Sequence, residues 1–161
     1  MLWMLVMGLS LALQVIGMYF LVRRITSRLV KLTSEKTAKT FKQITVSIFS
    51  VSVLGSICNL AAVSANDGKM PVDVKVLEKM SGSASCDDES IFRFNGYRHT
   101  CSGEETRLFF LIDRLYYPSV TNAVLSIGDI LMYIGMTASG FFIIVFMSSV
   151  SLRKIFTKRS P

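Results

Sequence analysis

Residues 44–65 read ITVSIFSVSVLGSICNLAAVSA, with no Arg, Lys, Asp or Glu anywhere in the run. A helix rises about 1.5 Å per residue, so about 20 apolar residues cross the roughly 30 Å of bilayer hydrocarbon. This stretch is therefore predicted to span a membrane. Residues 1–22 and 121–147 have the same character, and Asp129 is the single charged side chain in the three runs. The hydrophobic fraction of 51% and the mean hydropathy of +0.49 exceed those of an ordinary soluble domain. The predicted fold class is an all-α membrane protein. It has three transmembrane helices, a disulfide-closed extracellular loop and a short amphipathic cytoplasmic tail helix.

Charge orders the segments between the spans. Residues 23–43 carry Arg23, Arg24, Arg28, Lys31, Lys36, Lys39 and Lys42 against Glu35 alone. The tail, 148–161, adds Arg153, Lys154, Lys158 and Arg159 and no acid, whereas 66–120 mixes nine acids with seven bases. The excess of Lys and Arg marks cytoplasmic segments. The expected order is an outer amino terminus, a basic cytoplasmic loop over 23–43, an extracellular loop over 66–120 and a cytoplasmic carboxyl terminus. The net charge of +7 is thus a membrane-orientation signal, and a nucleic-acid surface has no reason to alternate with apolar spans. Residues 1–22 lack a basic leading region and a small-x-small site before Arg23, so they are expected to be a retained span, not a cleaved signal. The lipid bilayer is the first partner implied.

Inside the spans, Gln14, Asn59 and Asp129 are the polar residues most costly to place in lipid. Counted from the outer ends of the runs, Asn59 lies about 9 Å deep and Asp129 about 12 Å. They share a depth and can meet between helices. Ser52, Ser56 and Asn59 share one face of the second span, and Gly128, Met132, Gly135 and Ser139 one face of the third. Small residues let backbones approach, and polar ones bridge across. Asn59 and Asp129 are accordingly either an interhelical polar contact or ligand contacts in a cavity.

In the long loop, Asn66-Asp67-Gly68 signals a turn and Cys86 and Cys101 bracket a polar stretch. On an oxidising face two such cysteines are expected to pair, and closing about 15 residues contributes roughly 3 kcal/mol in the chain-entropy model. Zinc is a poor alternative because His99 is the only histidine and no C-x-x-C exists. Cys58 reads as an apolar filler. Phe109, Phe110, Tyr116 and Tyr117 fit an interfacial aromatic belt. No Walker, H-E-x-x-H or G-x-S-x-G sequence occurs, so no enzyme, metal or cofactor is expected.

The layout of two spans joined by a basic loop, an outer loop, and a span running into a basic tail resembles helices five to seven of a rhodopsin-like G-protein-coupled receptor. The strongest match is residues 141–156, FFIIVFMSSVSLRKIF, similar to the seventh helix and short eighth helix of nematode serpentine and peptide-receptor types. Residues 141–145 stand where that family carries Asn-Pro-x-x-Tyr, and Cys58-Asn59-Leu60-Ala61 where it carries Cys-Trp-x-Pro. The resemblance implies a carboxyl-terminal part of a plasma-membrane receptor, completed by missing helices or another membrane protein. Arg23, Arg24, Arg28, Lys31, Lys39, Arg153 and Lys154 would then meet a heterotrimeric G protein or lipid headgroups. The alternatives are a small three-span accessory or adaptor protein and, further off, a transporter or channel subunit using Asp129.

Overall fold

In the computed structural model, residues 2–81, 99–116, 118 and 124–157 are described. Three helices, α1 (Leu2–Leu32), α2 (Glu35–Ala65) and α4 (Ile127–Thr157), are each long and apolar enough to cross a membrane. Between α2 and α4 stand β1 (Met70–Val72), α3 (Val74–Ser81), β2 (His99–Cys101), a 3-10 turn (Phe109–Leu111), β3 (Leu115–Tyr116) and β4 (Val124–Leu125). The chain is mostly helical but not all-α. β1 pairs in parallel with β2, and β3 pairs antiparallel with β4.

The basic segment 23–43 is helix, not loop. Only Thr33 and Ser34 separate α1 from α2. The reason is a buried stripe that continues past the membrane-length run. Val22 and Leu29 on α1 and Ala38 and Phe41 on α2 are buried, with the basic side chains on the other faces. Ser34 caps α2 by accepting from the Thr37 amide at 3.2 Å, and Glu35 places an acid in the first turn, opposite the positive helix end. The tail differs from expectation in the same sense. Helix α4 runs unbroken to Thr157, and Ser149 inside it donates to the Val145 carbonyl at 2.8 Å instead of breaking the helix.

Along α2, Ala38, Phe41, Thr45, Ile48, Ser52, Gly55, Asn59 and Ala62 recur at alternating steps of three and four, and all are buried or half-buried. That heptad seam puts α2 at the centre, against α1 on one side and α4 on the other. At the basic end the seam is aromatic. Phe41 lies with its ring centroid 5.6 Å from Phe142 and 4.7 Å from Phe146, joined by Leu29, Ala38 and Val150. Toward the other end it turns to small residues. Leu54, Ile57, Phe141 and Ile144 point away, from 48% to 68% exposed, as expected of lipid-facing side chains.

The described residues between α2 and α4 form a cap on the bundle. Helix α2 ends with Asp67 and Gly68 both in left-handed backbone (φ 54° and 78°), and the Gly68 amide returns to the Val63 carbonyl at 2.9 Å. This is a Schellman-type stop built on the anticipated Asn-Asp-Gly turn. Leu111 then packs on Ala62, Val63 and Met70, seating the 3-10 turn on the helix. Strand β1 sits between β2 and a bridge to Asp113, and the Pro71 carbonyl accepts from the Asp113 amide at 3.0 Å. Cys86 lies outside the described residues; Cys101 is on β2.

Candidate functional site

The polar site sits where the ends of α2 and α4 cross beneath the cap. Ser126 is the residue before α4, and Ser126-Ile127-Gly128-Asp129 makes a capping box. The Asp129 amide donates to Ser126 Oγ at 3.0 Å, and the Ser126 amide donates to Asp129 Oδ2 at 2.9 Å. An acid in the first turn of an apolar helix is thus held by the helix's own amides and positive end. From α2, Asn59 Nδ2 donates to Asp129 Oδ1 at 2.7 Å, and Asn59 Oδ1 lies 2.8 Å from Ser126 Oγ. The Ser126 hydroxyl also lies 2.9 Å from Asp129 Oδ2, so its one proton is shared between two acceptors.

Close approach makes the contact possible. A methyl group built on Gly128 would collide with the Asn59 carboxamide, and one on Gly55 with the Gly128 carbonyl. One turn further in, a methyl on Gly135 would sit 2.8 Å from Ser52 Cβ. Ser56 adds a 3.6 Å contact to Met132 Sδ. Three glycines therefore bring the two backbones together over about two turns, and the Asn–Asp–Ser clasp closes the end of the crossing.

Two further polar groups organise the cap. The Asn66 carboxamide accepts from the Arg107 amide at 2.9 Å and donates to the Arg107 carbonyl at 2.9 Å, pinning the returning chain to the end of α2. His99 Nε2 reaches from β2 to Asp113 Oδ2 at 3.3 Å, both side chains almost buried. Asp113 Oδ1 is buried without a hydrogen-bond partner. Burial pushes the Asp113 carboxyl above the ordinary carboxylate range. The His99 hydrogen bond and charge pull it back, and the Asp129 charge adds to the upward push. Nearby, Arg114 lies 4.0 Å from Asp73 and 4.8 Å from the Phe109 ring centroid.

The expected site residues separate into groups. Asn59 and Asp129 meet, and Asp129 lies much nearer the helix end than expected. Because α4 begins at Ile127, Asp129 is about 3 Å along its axis from that start, not the roughly 12 Å expected. Arg23, Arg24, Arg28 and Lys31 stand on the last turns of α1 and Lys39 on the first turns of α2, while Arg153 and Lys154 fall within the end of α4. Gln14 keeps a buried amide oxygen without a partner, and Cys58 is free on α2. Among the described residues no group of three His, Cys, Asp or Glu could hold a metal. The expectation from sequence missed Ser126, Gly55, Asn66 and Asp113. Ser126 and Asp129 carry a readable S-x-x-D signature, and Gly55 falls on the Ser52–Asn59 face.

No curated protein matches this chain, and no solved structure does. A family of unknown function (DUF5317) matches residues 1–145, so the chain belongs to that family.

Proposed function

We propose that this DUF5317 member is a three-span accessory protein of the plasma membrane, with no catalytic role. The cap faces outward as a docking platform for another membrane protein, and the basic helix ends face the cytoplasm. The observation that carries this reading is the closed clasp. Asn59, Asp129 and Ser126 spend their hydrogen bonds on one another and on α4's first turn, so they brace a scaffold and do not line an open ligand cavity. The Asn66 clamp extends that bracing to the cap. The reading includes a Cys86–Cys101 disulfide, motivated by the two cysteines bracketing a polar stretch of the outer segment, with Cys58 apart from them on α2. Non-reducing mass mapping should find residues 86 and 101 in one cross-linked peptide.

The receptor-like reading draws on one specific observation. Leu5, Leu9 and Leu13 on α1 are 61–63% exposed, a face that further helices could cover as well as lipid. In that reading the basic ends would bind a heterotrimeric G protein. A photo-crosslinker at exposed Glu105 on the cap, used in native membranes, separates the two. The accessory reading predicts one discrete heavier adduct there and no effect of the chain on G-protein nucleotide exchange in those membranes. Absence of the adduct together with stimulated exchange favours the receptor.

A further inference from the structure

Between α1 and α2, on the side away from the clasp, runs a groove of about 600 Å³, within the size range of ligand sites. We propose that it is a binding site for one anionic phospholipid, with an acyl chain in its apolar length and the headgroup phosphate at its basic end. The inference rests on the membrane-spanning reading and on nothing else in the proposed function.

Three observations converge. The first is length. The groove runs from Lys42 to Val53 along α2 and from Val30 to Val15 along α1. Those distances are about 16 and 22 Å at 1.5 Å per residue, enough for the roughly 15 Å of one leaflet's hydrocarbon with a headgroup beyond it. The second is charge. Val15, Val46, Phe49 and Val53 line the apolar length, and the two lining cations, Arg23 and Lys42, come from opposite walls in the half toward Lys42 and Val30. Among the described residues no acid lines the groove. The third is Thr26, which lines the basic half. Its hydroxyl is buried with no hydrogen-bond partner. Neighbouring hydroxyls take the usual helical escape. Ser27 donates to the Arg23 carbonyl at 2.9 Å and Ser50 to the Val46 carbonyl at 2.9 Å. Thr26 does neither, and a phosphate or ester oxygen held between Arg23 and Lys42 supplies the missing acceptor.

The test is lipid retention by the full chain. Protein reconstituted in equimolar phosphatidylglycerol and phosphatidylcholine is extracted in mild detergent and its bound lipid counted by native mass spectrometry. Two basic residues at about 1 kcal/mol each predict roughly a thirtyfold preference for one phosphatidylglycerol. The Arg23→Gln/Lys42→Gln variant should lose that preference, and Lys36→Gln/Lys39→Gln, outside the groove, should keep it. Val46→Trp, filling the apolar half with the bases intact, should also release the lipid. No preference in the parent chain, equal loss in both double variants, or full retention by Val46→Trp overturns the proposal. Flotation of every variant with phosphatidylcholine vesicles separates this outcome from a failure to insert at all.

Discussion

At the residue scale the clasp and its glycines carry the energetics. Asn59→Leu removes the one side chain from α2 that partners Asp129, leaving a carboxylate oxygen facing an apolar group. Interhelical hydrogen bonds in membranes average well below 2 kcal/mol, but stranding a charged partner adds desolvation. A loss of about 2 kcal/mol is expected, read as a lower thermal midpoint in detergent. The glycines give an internal control. Gly135→Ala drives a methyl into the Ser52 backbone, whereas Gly140 has nothing within 4 Å of the same position. Gly135→Ala should destabilise by about 1–3 kcal/mol, while Gly140→Ala should be neutral or slightly stabilising through helix propensity. Equal melting points for the two would refute glycine-dependent packing.

Asp113 gives a pH signature at the same scale. Its folded-state pKa is raised above the ordinary 3.8, so the folded cap holds that proton more tightly than the unfolded chain does. Its contribution to stability is full below the ordinary value and is lost as pH rises through the raised one. Melting of the parent chain should therefore show a component that falls with pH in that window, and Asp113→Asn should remove it. Identical pH profiles for the two proteins would mean that the buried carboxyl is not linked to folding.

At the element scale, helix ends decide how the pieces join. Asn66→Ala deletes both hydrogen bonds to Arg107 and the 2.7 Å bond to the Ala62 carbonyl. Limited proteolysis should then cut the cap several-fold faster, with helix content unchanged by circular dichroism. A cap as resistant as the parent's would show that Leu111 packing suffices alone. The same scale explains what could be read in advance. Three apolar runs and the Asn-Asp-Gly stop were legible because hydropathy and turn chemistry are local. The ends of α1, α2 and α4 were not, because amphipathic turns beyond the bilayer carry charge that masks a helical stripe such as Val22–Leu29. Residues 124–125 look as apolar as the span that follows, yet they form a strand, which misplaced Asp129 by several ångströms. The β1–β2 pair was beyond reach too. Two three-residue strands show no alternation, and their partners lie 29 positions apart.

At the scale of the whole molecule, the protein inverts the order of a soluble domain. Beyond the buried Phe41 cluster, small and polar side chains face inward along α2, and large apolar ones such as Leu54 and Ile57 face outward. Such a surface suits lipid, and the two ends of the bundle then meet different environments: a mixed-charge, hydrogen-bonded cap and a cluster of cationic helix ends. Labelling of single introduced cysteines with a membrane-impermeant maleimide, in a Cys58→Ala background, tests this arrangement most directly. Glu105→Cys on the cap should react in intact cells, and Lys36→Cys at the basic end should react only after permeabilisation. Reaction of both from the same side, before permeabilisation, would contradict a bundle that threads the membrane three times.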